Sequence, residues 1–157
     1  MNNPVSGKDP MDVYSKPIGV TKTKLTKIFK MKAREIPEKP GRSLVITWDK
    51  RLPLVEGFEN SYSYLVTFAG KGNLAGNHYH KEKTELFTPV IGDFTIILED
   101  IETKEREEIT ISTKDHPVVY IPKGIAHTVV ADSDIAVLLV TASYPGTEGD
   151  EFPYKLL

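Results

Sequence analysis

The 157-residue chain is 39% hydrophobic and 27% charged, which supplies enough apolar surface for one packed core and excludes a disordered chain. Twenty basic residues against 22 acidic ones give a formal charge of -2, without the strong positive field that draws in nucleic acid. There is no cysteine, so disulfides, thiolate metal sites and cysteine nucleophiles are excluded, and any metal must be bound through nitrogen and oxygen.

No apolar run approaches the roughly 20 residues of a membrane span, and residues 1–16 lack the apolar centre of a signal peptide, so a cytoplasmic protein without membrane contact is expected. Residues 1–40 are expected to form an irregular or strand-exchanging arm, because Pro4, Gly7, Pro10, Pro17 and Gly19 punctuate a polar stretch. Within it, 24–36 permits either a short helix or an irregular strand. From residue 41 to 145 the pattern changes to short β-branched and aromatic runs between turn residues. These runs are 43–48, 61–68, 77–80, 85–90, 93–100, 107–112, 117–122, 126–130 and 135–142. About nine strands without an amphipathic helix among them predict an all-β domain, a closed double-sheet barrel of jelly-roll type. Residues 146–157 read as an irregular tail able to lie back across the barrel or a neighbouring subunit.

His78 and His80 are separated by one residue, and positions i and i+2 of a strand face the same way, so both imidazoles converge while Tyr79 points away. Glu85 opens the next apolar run after the polar link 81–84, which suits a tight hairpin returning beside the histidine strand. His127 heads a further strand just after Pro122 and Gly124, a turn that fixes the approach of the chain. Three imidazoles and a carboxylate facing a barrel interior suit Fe, Mn, Ni, Cu or Zn better than Ca or Mg, which prefer oxygen shells. His116, before Pro117 in a turn, is read as structural. Only residues in phase with the four donors qualify as pocket lining, and strand parity selects Asn73, Gly76 and Phe87.

At these residues the sequence resembles the cupins. Gly72, five residues, His78-Tyr79-His80, four residues, Glu85, six residues and Gly92 meet the first cupin motif in full. Pro122, Gly124 and His127 meet the second at the family spacing, whereas its opening glycine is His116 here and its closing asparagine is Ala131. The resemblance implies a double-stranded β-helix barrel binding one divalent transition metal through His78, His80, Glu85 and His127. The phrasing of residues 72–92 is most similar to the RmlC-like, deoxysugar-processing cupins, the nucleotide-sugar epimerases and ketoisomerases. That resemblance implies proton removal and return beside the carbonyl of a keto nucleotide sugar in polysaccharide assembly. With a metal bound the histidines are occupied as ligands and the catalytic base is unknown; without one, His78 and His127 become candidate bases. An Fe(II)-dependent dioxygenase and a non-catalytic sugar-binding module are the competing readings, since one barrel serves many chemistries. A homodimer is expected, because small cupins are frequently dimers and an open sheet face beside an arm allows two-fold pairing.

Overall fold

The computed structural model describes residues 12–144 and 149–157. These described residues form a short helix (Asp12–Ser15) and thirteen strands: β1 (Gly19–Lys22), β2 (Lys27–Lys30), β3 (Arg34–Glu35), β4 (Ser43–Leu44), β5 (Tyr62–Phe68), β6 (Leu74–Tyr79), β7 (Glu85–Ile91), β8 (Asp93–Asp100), β9 (Arg106–Ser112), β10 (Pro117–Ile121), β11 (Ile125–Ala131), β12 (Ala136–Ala142) and β13 (Phe152–Pro153). A six-stranded sheet runs β1-β2-β10-β7-β12-β5, a five-stranded sheet runs β13-β6-β11-β8-β9, and β3 pairs with β4 alone. All pairings are antiparallel. From β5 to β12 every connection crosses between the two large sheets except the β8–β9 hairpin, and this alternation is the double-stranded β-helix of a jelly roll.

The sheets face each other across one apolar core. Phe87, Val119, Ile121, Leu138 and Val140 from one side meet Phe94, Ile96, Leu98, Val129 and Ala131 from the other. A second cluster, in which Phe29, Met31, Phe58 and Trp48 pack on Leu86 and Val118, covers the outside of the six-stranded sheet. That covering explains why Glu85 to Pro89 are buried without interruption, where a strand with one wet face would alternate.

Several expectations change. The arm is regular in part: β1 and β2 form a hairpin, and β2 extends the chain's own sheet by pairing with β10. The carboxylate of Glu107 accepts N–H bonds from Lys24 and Leu25, both at 3.0 Å, and fastens the hairpin turn. The run 43–48 is no barrel strand, since only Ser43 and Leu44 pair, with Glu35 and Arg34. Two of its remaining apolar side chains, Val45 and Trp48, join the outer cluster instead. Residues 81–84 do not close a hairpin, because β6 and β7 belong to different sheets. The neighbours of β6 are β11 and β13, which take both of its edges. Residues 1–11 of the expected arm, residue 145 at the end of the expected barrel and 146–148 of the tail lie outside the described residues, and no described helix is long and apolar enough to cross a membrane.

The two departures from the second cupin motif are accommodated locally. His116 takes φ 49° and ψ 51°, the left-handed conformation that its missing glycine would have supplied. Ala131 is fully buried and its N–H donates to the Asn73 carbonyl at 2.9 Å.

Candidate active site

Two strands bring the histidines together. β11 pairs with β6 so that His127 stands opposite His78, and the register slips by one residue between His127 and Thr128. The slip is absorbed at Gly76 and Asn77, with φ of 109° and 62°. A Cβ on Gly76 would lie 2.5 Å from the His127 carbonyl oxygen, so only glycine lets the strands approach this closely. The Pro-x-Gly turn is tied to the same place: the Gly124 N–H, at φ 77°, donates to the His80 carbonyl at 2.7 Å.

The potential ligand nitrogens of His78, His80 and His127 lie within 4.8 Å of one another. Glu85 Oε2 lies 3.4 Å from His127 Nε2 and 3.7 Å from His80 Nε2. His80, Glu85 and His127 are each no more than 4% exposed, while His78 stands half-buried at the mouth. Gly76 and Phe87 line the cavity as parity predicts; Asn73 does not.

The outward nitrogen of each imidazole is committed. His127 Nδ1–H donates to the Ile125 carbonyl at 3.1 Å and His80 Nδ1–H donates to the Asp150 carbonyl at 2.5 Å, since a carbonyl can only accept. His78 Nδ1 faces Glu151 Oε1 at 3.3 Å. In His80 and His127 the proton therefore sits on Nδ1, and the Nε2 lone pair turns toward Glu85. Burial drives the His127 pKa down to about 4, with Glu85 opposing and His78 assisting, so this imidazole is neutral at pH 7. Burial also lowers His78, partly countered by Glu151.

Glu85 is shared between two settings. Its Oε1 meets the Lys83 ammonium at 3.2 Å and accepts the Tyr64 hydroxyl at 3.3 Å, while Oε2 is buried without a hydrogen-bond partner. Burial pushes this carboxyl up, but the facing imidazoles when protonated and the standing charge of Lys83 outweigh it and hold it below its usual range. The same pair keeps Lys83 charged: burial alone would lower it, and Glu85 more than offsets that. Tyr64 is raised by burial first and by Glu85 next, so it remains a phenol.

Among the described residues, His80 Nε2 and Glu85 Oε2 are the buried polar side-chain atoms without a partner, and they face each other. Bare imidazole nitrogens beside a carboxylate oxygen repel one another unless a cation or proton lies between. The donor chemistry, three imidazoles and one carboxylate, fits a divalent transition metal. Sequence reasoning missed Lys83, Asp150 and Glu151, because polar residues in a link and a tail give no periodic signal of a shared destination.

The profile of the polysaccharide biosynthesis C-terminal domain family matches residues 48–149. No curated protein sequence is matched by the chain. Among solved structures, it is similar to a dTDP-4-dehydrorhamnose 3,5-epimerase from Bacillus anthracis with TDP and PPi bound, at 16% identity and TM-score 0.72 over 85% of this chain and 81% of that one. It is also similar to a dTDP-6-deoxy-D-glucose-3,5-epimerase from Legionella pneumophila in complex with dTDP-4-keto-L-rhamnose, at 18% identity and TM-score 0.74 over 88% and 78%. A 3,4-ketoisomerase from Helicobacter canadensis matches at 22% identity and TM-score 0.68 over 81% and 89%. These likenesses establish the RmlC-like cupin fold, and the profile match shows that the chain belongs to the polysaccharide biosynthesis C-terminal domain family.

Proposed function

We propose that this protein is an isomerase or epimerase of a keto nucleotide sugar, acting at a site that holds one divalent transition metal through His78, His80, Glu85 and His127. The observation that carries the metal reading is the pair of orphaned buried atoms, His80 Nε2 and Glu85 Oε2, beside two further inward imidazoles. The solved neighbours that act on dTDP-linked keto sugars support the substrate class. When bound, such an ion supplies Lewis-acid stabilisation of the negative charge that develops on a carbonyl oxygen as the adjacent carbon loses its proton.

The chain's own residues set the conditions for that chemistry. Val66, Ala75, Phe87, Val129 and Leu138 wall the cavity and exclude bulk water. Its volume of about 60 Å³ has room for a few waters or the reacting edge of a sugar, so the nucleotide stays outside the barrel mouth. Tyr64 lines the cavity and, apart from the four metal donors, is the one described lining side chain able to carry a proton. As a phenol it fits the return of a proton from Oη better than its removal. Lys83 balances the Glu85 charge, and its ammonium lies 3.4 Å from the Tyr62 hydroxyl.

The test is elemental analysis of untagged protein, followed by deuterium wash-in from D₂O next to the carbonyl of a dTDP-4-keto sugar. One equivalent of zinc, manganese, nickel, copper or iron, absent from the His78→Ala/His127→Ala variant, is expected. Deuterium incorporation is expected to slow about 100-fold or more in Tyr64→Phe. Protein that resists metal reconstitution would remove the metal from the proposal and leave His78, the more accessible imidazole, as the candidate base. Loaded protein that binds the sugar without exchange would reduce the barrel to a binding module.

A further inference from the structure

The C-terminal residues run along the histidine strand. Phe152 and Pro153 pair with Tyr79 and His78, and the Phe152 ring stacks on Tyr79 with centroids 5.1 Å apart. The Lys81 ammonium sits over the Phe152 ring, 4.3 Å from its centroid. Further along, the Tyr154 N–H donates to the Asn77 carbonyl at 2.7 Å, the Leu156 N–H donates to Asn77 Oδ1 at 2.9 Å, and Arg106 donates to the Leu156 carbonyl at 3.0 Å. The Leu156 side chain is buried among Ile97 and Ala126. At the other end, the Asp150 carboxylate accepts the N–H groups of Lys81, Glu82 and Lys83 at 2.8, 3.1 and 2.9 Å, and the Tyr144 hydroxyl at 2.5 Å.

This fastening delivers two acceptors to the site. The Asp150 carbonyl takes the His80 Nδ1 proton and the Glu151 carboxylate faces His78 Nδ1. His127 is served by its own strand, through Ile125. We infer that residues 150–157 are a positioning strap for the site, fixing His78 and His80 as Nδ1–H tautomers so that both present a bare Nε2 to the point His127 shares. A free imidazole exchanges its proton between the two nitrogens, and the hydrogen bond made by one of them decides which lone pair is offered. A fixed acceptor behind a ligand nitrogen also orients the ring and strengthens it as a donor. The Nδ1–H tautomer follows for His80 from its hydrogen bond and for His78 from the Glu151 carboxylate 3.3 Å from Nδ1; its consequence for metal affinity rests on the proposed function.

The test is long-range ¹H–¹⁵N correlation of the imidazoles in full-length protein stripped of metal, comparing wild type with Glu151→Leu and Asp150→Ala. Wild type is expected to show all three histidines as Nδ1–H. Glu151→Leu, at an exposed position, is expected to release His78 into an Nε2–H mixture while His80 and His127 stay fixed. Asp150→Ala, which unfastens the turn at 81–83, is expected to release His80, with an unchanged His127 signal reporting an intact barrel. Should Asp150→Ala not fold, Glu151→Leu decides by itself: His78 remaining Nδ1–H there overturns the inference. Competition titration with Zn²⁺ provides the second readout, with affinity expected to fall about 10-fold or more in Glu151→Leu. Wild type that binds no Zn²⁺ would sink the metal reading, and the tautomer response of His78 would still decide the role of the strap.

Discussion

The two halves of the imidazole cluster are held by different means. His127 and Glu85 belong to barrel strands and take their partners from nearby residues: Ile125 for one, Lys83 and Tyr64 for the other. His78 and His80 depend on acceptors 70 or more residues away, at Asp150 and Glu151. The barrel half hangs on strands of the core, whereas the strap half takes its acceptors from the residues leading into the edge strand β13, which is expected to open at lower cost than the core. One site thus combines a permanent wall with a detachable one.

The largest effect is expected from breaking the barrel half. Glu85→Ala removes the counter-charge of the buried Lys83 ammonium and is expected to cost about 3–5 kcal/mol of unfolding free energy in metal-free protein, read by urea denaturation. A loss below about 1 kcal/mol would mean that Lys83 finds solvent and that the barrel half is less rigid than its burial implies. Gly76→Ala attacks the junction between the halves, because the added methyl meets the His127 carbonyl and the backbone is held at φ 109°. We expect about 2–4 kcal/mol of destabilisation from combined crowding and strain. A stability like that of wild type would show that β6 and β11 can separate at the slip.

Leu156→Ala loosens the strap alone and is expected to cost about 2 kcal/mol. Native-state hydrogen exchange should then show the amides of Tyr154 and Leu156 opening faster while those of β8 and β11 keep their protection. Uniform acceleration across both sets would join the strap to the global unfolding unit and erase the distinction between the halves.

Much of the site was legible because its spacing is local. His78 and His80 follow from the two-residue period of a strand, and the residues between Gly72 and Gly92 and from Pro122 to His127 match the cupin motifs without an interruption. The six-residue run at 43–48 misled, since β-branched and aromatic residues mark any pleated or half-buried surface, and here the run packs outside the barrel instead of pairing within it. The hairpin expected at 81–84 misled for a related reason. A short polar link can turn a chain back within a sheet or carry it to the opposite one, and the spacing is the same in both cases.

The sequence by itself determined an all-β chain, the placing of His78, Glu85 and His127 on strands and of His80 just past the end of β6, all facing one interior, and the exclusion of thiolate chemistry. These are matters of residue type and of a period that the backbone imposes locally. Only the tertiary structure decided that Lys83 and Tyr64 would share the second oxygen of Glu85, that Gly76 would let β6 and β11 close up, and that the C-terminal residues would return to hold His78 and His80. The contacts of Gly76 and of the C-terminal residues join positions far apart in the chain, and they form where the core leaves a strand edge open and hydrogen-bonding groups unsatisfied, which no local pattern encodes.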